Sequence, residues 1–288
     1  MISPILSLLR PHQWIKNAFV AAPLFFTPQL FSRLALIHVI LGVACFSAMA
    51  SAIYILNDWR DRELDRKHPV KRLRPLASGR VAPKTAAAAA LCLAVASSAV
   101  AWVWLPRGFG IVLSVYVLQN LAYNFWLKQI AILDVLCIAM GFVLRIYAGG
   151  QLIGITPTVW IVACTLLLAL FLAFAKRRDD LVLGVADEHR LSLAGYNLPF
   201  IDASLAIILA ALVVSYLLYT TQPDNMARLH SDKLFVTAPF VIAGVLRYLQ
   251  VSLVEHRSGA PTRLVLSDRF LMLVILGWIA TFALLIYG

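Results

Sequence analysis

Asn57-Asp58-Trp59-Arg60-Asp61-Arg62-Glu63-Leu64-Asp65 stands directly after the apolar run 38–56, and Arg66-Lys67-His68-Pro69-Val70-Lys71-Arg72-Leu73-Arg74-Pro75-Leu76-Ala77-Ser78-Gly79 follows it. The apolar run has the length of about 20 residues that a helix needs to cross hydrocarbon of roughly 30 Å. A helix continued through the junction turns by about 100° per residue, which sets Asn57, Asp58, Asp61 and Asp65 within an arc of roughly 100°. Carboxylates so close repel one another at a membrane boundary unless a cation offsets them. Mg²⁺ suits such a set, because it takes a few carboxylates and completes its octahedron with water and phosphate oxygens. Asn57, Asp58, Asp61 and Asp65 are therefore the expected metal ligands, and the three aspartates the expected catalytic centre. A solvated helix end, its aspartates bridged to Arg60, Arg62 and Arg66 by i,i+4 pairs, is the competing reading. Lys71, Arg72 and Arg74 supply what bound phosphate needs, a planar fork from Arg and a point charge from Lys. A purely topological role for those charges is the alternative.

Outward from this stretch the same alternation repeats. Of 288 residues, 61% are hydrophobic and 14% charged, against near half and a quarter in soluble domains. The chain reads as an all-α polytopic membrane bundle of about nine spans, near 18–36, 38–56, 85–105, 109–127, 131–150, 157–175, 203–221, 234–254 and 269–287. Pro23 and Pro28 predict a kinked or broken first span. Residues 1–16 read as an interfacial arm without a small-residue cleavage site. No loop is long enough to hold a core of its own, so a single domain over 1–288 is expected, with 57–84 and 176–200 as its active-site loops.

The net charge of +11 resides in loops, and no aromatic-interleaved polar region offers a nucleic-acid surface; membrane topology and anionic substrates account for it instead. Most Lys and Arg share one side, while the opposite loops carry Arg33, Arg107, Arg228 and Lys233, and Arg145 and Arg247 fall within spans. The positive-inside rule then predicts a cytoplasmic N-terminus and active site in a bacterial inner membrane, with the C-terminus outside. Cys45, Cys92, Cys137 and Cys164 lie in apolar runs and read as packing residues. Asn120, Tyr123, Asn124 and Lys128 recur at i, i+3, i+4 and i+8 as a polar stripe facing the bundle or a cavity. Arg145 is expensive at its depth and is expected to face a wet or anionic cavity, or else to pair with a carboxylate of another helix. Arg247 snorkels. Residues 187–196 read as a lid or as a plain surface loop.

The Asn57-to-Asp65 motif after the second span resembles that of the UbiA superfamily of intramembrane prenyltransferases. Arg10-Pro11-His12-Gln13-Trp14-Ile15-Lys16-Asn17, the His68-to-Gly79 segment, Leu127-Lys128 with Leu133-Asp134, and Gly141-Phe142-Val143-Leu144-Arg145 look like its decaprenyl-phosphate phosphoribosyltransferase branch. The resemblance runs over essentially the whole chain. One departure stands out. Where superfamily members carry a second Asp-rich motif, this chain reads Ala175-Lys176-Arg177-Arg178-Asp179-Asp180, with Lys176 in place of a carboxylate. That exchange weakens the case for a second metal and favours direct cationic contacts to phosphate.

What the resemblance implies is transfer of 5-phosphoribosyl from phosphoribosyl pyrophosphate to a polyprenyl phosphate, with Mg²⁺ at the aspartates. Asp134 joins Asp58, Asp61 and Asp65 as a catalytic residue. Lys16, Asn17, Lys71, Arg72, Arg74, Tyr123, Asn124, Lys128, Arg145, Lys176, Arg177 and Arg190 are the substrate-binding candidates. Membrane lipids are expected partners, nucleic acid is not, and a homo-oligomer stays open. Two rivals remain. A conventional prenyltransferase explains the first motif equally well but Lys176-Arg177-Arg178 less well. A transporter fits poorly, because paired Gly/Pro-interrupted spans are absent and the polar residues crowd one membrane face.

Overall fold

A computed structural model describes residues 4–27, 32–67, 70–184 and 191–287, and among them every regular element is helical. Helices α1 (Pro4–Leu9), α2 (Ala18–Phe25), α3 (Arg33–Lys67), α4 (Pro83–Val103), α5 (Arg107–Phe125), α6 (Leu133–Ile153), α7 (Val159–Val182), α8 (Leu198–Thr221), α9 (Pro223–Leu229), α10 (Ala238–Leu253), α11 (Pro261–Ser267) and α12 (Arg269–Tyr287) follow in chain order. Seven helices among the described residues are long and apolar enough to cross a membrane: α3, α4, α6, α7, α8, α10 with its leading turn, and α12. The expected first span is not one helix. α2 holds Pro23 and ends at Phe25, and α3 begins afresh at Arg33; Pro28 lies outside the described residues. The fourth expected span forms as α5, but Arg107 and its polar residues keep it out of the apolar set.

α3 is the element that carries the motif beyond the bilayer. Its 35 residues span about 50 Å, well over the roughly 30 Å of hydrocarbon, so the last turns project the aspartates past the apolar zone.

The chain divides into two compact units, one of Met1–Phe25, Gln29–Phe125 and Leu144–Pro157, the other of Phe26–Pro28, Trp126–Val143 and Thr158–Gly288. In the first, Phe46 of α3 is fully buried against Tyr116 and Phe109 of α5, with ring centroids 4.6 and 6.4 Å away. α3 and α4 approach closely enough for Ser97 to donate to the Cys45 carbonyl at 2.9 Å while the Cys45 thiol donates to the Ser97 carbonyl at 2.9 Å. Hydroxyls used this way satisfy backbone groups where no water reaches. The N-terminal arm is strapped along α3 by the same means. Ser51 donates to the Leu9 carbonyl at 2.9 Å, the Trp14 indole donates to Ser51 at 3.0 Å, and Asn17 donates to Ser47 at 2.9 Å.

The second unit is built on the α7–α8 hairpin. Thr158 caps α7 through the Ile161 amide and Asn197 caps α8 through the Phe200 amide, each replacing a lost helical acceptor. Phe171, Phe174, Ile201, Leu205 and Tyr248 form its core. The C-terminal turn of α7 is tied on two sides: Arg178 donates to Asp202 at 2.7 Å and to the Ser252 carbonyl at 2.8 Å, while Asp179 accepts from Ser258 at 2.9 Å and from the Gly259 amide.

Gly149 of α6 lies where an added Cβ would press on the Val20 carbonyl and sit 2.9 Å from the Pro23 ring. Backbone cannot yield as a side chain does, so Gly149→Ala should destabilise the purified protein by about 1–3 kcal/mol, read as a lowered thermal midpoint in detergent. An unchanged midpoint would contradict this close helix approach.

Candidate functional site

The ion pairs along the end of α3 fall into two sets. Arg62 and Arg66 pair with exposed Glu63, at 3.1 and 2.8 Å. Asp58 and Asp65 take partners from outside the helix instead. Asp58, 2% exposed, meets Arg10 at 2.5 Å and Arg74 at 3.1 Å, and the same Arg74 nitrogen reaches Asp65 at 2.6 Å. One guanidinium thus bridges two carboxylates two helical turns apart. Asn57 and Asp61 are half-buried on the same stretch of helix.

The loop that delivers Arg74 is shaped locally. A single 3-10 turn over Lys71–Leu73 ends at Arg74, whose amide donates to the Lys71 carbonyl. Pro75, Leu76 and Ala77 are buried, the Pro75 carbonyl accepts from the Val81 amide at 3.1 Å, and Arg66 donates to the Ala77 carbonyl at 3.2 Å. Lys71 is half-buried and Arg72 exposed. His68 and Pro69 lie outside the described residues.

Arg10 belongs to this cluster although it stood outside the expected site. Its backbone is left-handed, with φ 53°, a conformation that costs a non-glycine residue about 1–2 kcal/mol. Its guanidinium lies over the Tyr54 ring, 5.4 Å from the centroid. The signal was its position between α1 and Pro11, where a helix must break.

Asn17 and Arg145, expected at the substrate, are interior groups. Arg145 donates to the Asn17 side-chain oxygen at 2.8 Å and to the Tyr116 hydroxyl at 3.1 Å, and its guanidinium sits 5.1 and 4.9 Å from the Phe46 and Tyr116 ring centroids. Both residues are buried. Neutral hydrogen bonds and aromatic faces thus hold the arginine in place of the expected wet cavity. Lys16 is half-buried nearby on the arm.

The polar stripe stops short of its expected length, because α5 ends at Phe125 and Lys128 falls in a separate 3-10 turn over Leu127–Gln129. Asn120 turns back to donate to its own helix at the Tyr116 carbonyl. Tyr123 and Lys128 are half-buried. Asn124 is 4% exposed, and its amide nitrogen has no hydrogen-bond partner among the described residues. Arg60 is the second residue that sequence reasoning missed. It donates to the Phe125 carbonyl at 3.3 Å and lies 4.7 Å from the Phe125 ring centroid, yet its buried Nη1 has no partner among the described residues. Buried donors of this kind call for an acceptor from outside the protein.

In the second unit Asp134 and Arg177 meet at 2.7 Å with both side chains 0% exposed. Tyr196 donates to the other Asp134 oxygen at 2.6 Å and Ser192 adds a bond at 3.1 Å. Burial and the bond to Asp134 push the Tyr196 hydroxyl up from its ordinary range, so it stays a donor. Asp134, expected to be catalytic, and Arg177, expected at the substrate, are thus bonded to one another in the interior. They fix the Leu191–Gly195 turn onto α6 and α7, beside half-buried Lys176. Arg190 and the rest of 185–190 lie outside the described residues.

An amide and three carboxylates along one helical face suit a hard divalent cation in donor chemistry. Among the described residues no three His, Cys, Asp or Glu side chains are already gathered as a cage.

Residues 14–271 match the UbiA prenyltransferase family. The decaprenyl-phosphate phosphoribosyltransferase of Mycolicibacterium smegmatis is 34% identical, over 100% of this chain and 93% of that one. The enzyme of the same name from Mycobacterium tuberculosis is 33% identical, over 98% and 93%. A UbiA homolog from Archaeoglobus fulgidus bound to GPP and Mg²⁺ superposes with a TM-score of 0.72 at 22% identity, covering 99% of this chain and 100% of that one.

Replacing Asp134 leaves the buried Arg177 guanidinium with Asp180, at 3.5 Å, as its remaining carboxylate, so Asp134→Asn should cost about 3 kcal/mol of stability. The double variant Asp134→Leu with Arg177→Met should recover most of the lost thermal midpoint. Failure of that rescue would argue that Asp134 does more than hold Arg177.

Proposed function

The chain belongs to the UbiA prenyltransferase family, and we propose that it transfers 5-phosphoribosyl from phosphoribosyl pyrophosphate to a polyprenyl phosphate, releasing pyrophosphate. The observation that carries this reading is identity of a third or so, over nearly the full length of both chains, with enzymes named for that reaction. Lys176, half-buried where superfamily members carry a carboxylate, supports it from within the sequence, because a donor with two phosphorylated ends and a phosphorylated acceptor bring more negative charge than a prenyl diphosphate with a neutral acceptor.

Asn57, Asp58, Asp61 and Asp65 would hold the divalent metal, with Mg²⁺ proposed by analogy to the Archaeoglobus fulgidus homolog. When bound, that ion neutralises charge on the departing pyrophosphate. The chain's own cations do the rest. Arg10 and Arg74 orient Asp58 and Asp65, and with side chains 20% and 28% exposed they have donors left for phosphate oxygens. Lys16, Lys71, Arg72, Lys128, Lys176 and Arg190 add charge for the remaining phosphates. Arg60, Tyr123 and Asn124 offer donors to phosphate or ribose oxygens.

In the transfer an acceptor phosphate oxygen forms a bond to C1 of the ribose, and the C1–O bond to pyrophosphate breaks with its electron pair leaving on pyrophosphate. The acceptor is already an anion at neutral pH, so no strong general base is required. Catalysis rests on positioning and electrostatic stabilisation. The polyprenyl tail lies in the bilayer among the apolar spans. The charge distribution supports a cytoplasmic N-terminus and site, with the C-terminus outside.

Purified protein given Mg²⁺, polyprenyl phosphate and labelled phosphoribosyl pyrophosphate should carry label into the lipid phase. EDTA should stop transfer, and Asp61→Ala should slow it by at least ~100-fold while the protein stays folded. Turnover of a prenyl diphosphate onto an aromatic acceptor, with no ribose transfer, would reverse the assignment.

A further inference from the structure

The far end of α8, opposite the Arg178–Asp202 tie that joins its start to α7, carries a second set of polar groups. Asp202 and Tyr219 are 17 positions apart on this helix, about 25 Å along its axis. Most of the cluster is matched internally. Trp278 donates its indole N–H to the Tyr216 hydroxyl at 2.6 Å, Tyr216 and Thr237 share a bond at 2.7 Å, and Thr237 also donates to the Leu234 carbonyl at 2.6 Å. Asn225 donates to the Tyr219 carbonyl at 3.0 Å and so seats α9 on the end of α8. Phe26 packs edge-on against Tyr219 and Trp278, with centroids 6.4 and 5.9 Å away.

Two donors in this cluster are left over. The Tyr219 hydroxyl, on a residue 4% exposed, and the Arg228 Nε are both buried with no hydrogen-bond partner among the described residues. Both lie where α9 is tied to the end of α8, Arg228 one turn after the Asn225 that bonds the Tyr219 carbonyl. Asp224, one turn earlier on α9, is exposed and forms no ion pair with Arg228 among the described residues. A phenol and a guanidinium offer hydrogens, and the group that meets them must accept. A single water supplies lone pairs but no charge opposite the half-buried Arg228 guanidinium; an anion supplies both.

The setting narrows which anion. α8 is a membrane-length helix, and Leu217, Leu218 and Phe235 around its end are exposed apolar residues, as a surface against acyl chains requires. Headgroup phosphates lie at the depth where such a helix ends, and basic side chains reach them there. We infer that Tyr219 and Arg228 form a binding site for the phosphate of a membrane-lipid headgroup, at the opposite end of α8 from Asp202. The inference is independent of the transferase reading.

The test uses full-length protein delipidated in detergent, then given phosphatidylglycerol, diacylglycerol or inorganic phosphate. Thermal midpoints and native mass spectra of retained lipid are the readouts. Phosphatidylglycerol should raise the midpoint by several degrees and remain bound, whereas diacylglycerol, which lacks the phosphate, should do neither. Tyr219→Phe removes one oxygen and Arg228→Gln removes the charge; each should lose at least half of the shift and of the retained lipid. Should Arg228→Gln fail to fold, Tyr219→Phe still decides. Equal shifts in wild type and variants, no shift with any addition, or a shift that inorganic phosphate alone reproduces would each overturn the proposal, the last two in favour of an ordered water and a free anion respectively.

Discussion

Hydrocarbon hydrates no charge, so an ion in a membrane helix has to be answered by another part of the chain. The second unit is organised around one such answer. Arg177 and Asp134 meet with no solvent on either, and the Tyr196 hydroxyl and Ser192 complete the carboxylate's bonding. A pair of this kind adds little net stability over apolar packing but is costly to break on one side. It therefore fixes geometry: α6, α7 and the turn before α8 have one arrangement in which both ions are satisfied. Arg178 and Asp179, the next two residues, fasten the start of α8 and the loop after α10 by the same logic.

In the first unit the same constraint is met with neutral groups. Arg145 is held by an amide, a phenol and two aromatic faces. Asn17 then has to be in place for Arg145 to be tolerated, and Asn17 belongs to the N-terminal arm, which Ser47 and Ser51 bind to α3. Deep polar bonding and the seating of the arm are thus one problem. The expectation that Arg145 needed either a wet cavity or a carboxylate left out aromatic faces, which attract a guanidinium without adding a second desolvated ion.

Hydropathy and helical period made the apolar helices and the motif legible in the sequence, because both act between neighbours along the chain. The four motif side chains share a face for the reason the period predicts. α2 and α3 show where hydropathy fails: the composition over 18–36 suits a span, but Pro23 lies inside α2 and the chain leaves the helix after Phe25. The ion partners were not legible, since Arg10 is 48 residues from Asp58 and Arg177 is 43 from Asp134, and nothing local states which of many cations will meet which carboxylate. Asp134 and Arg177 both stand out as charges next to apolar runs, yet nothing in the sequence pairs one with the other. Arg60 escaped for a related reason. Beside Asp61 it looks like a partner for its neighbours, whereas it reaches across to the end of α5.

Arg10 shows how far a charge requirement can bend the backbone. A left-handed arginine is disfavoured by its own sterics, and Pro11 after it forbids the helix from simply continuing. What offsets that cost is a partly buried carboxylate at 2.5 Å that also needs Arg74. Asp58 lies near the end of a helix too long for the bilayer and is 2% exposed, so its charge is answered by the chain and not by water. Two arginines from opposite directions, one on the arm and one on the loop after α3, converge on it. Both stay partly exposed, so the guanidinium groups orient the carboxylate while part of each remains in reach of water.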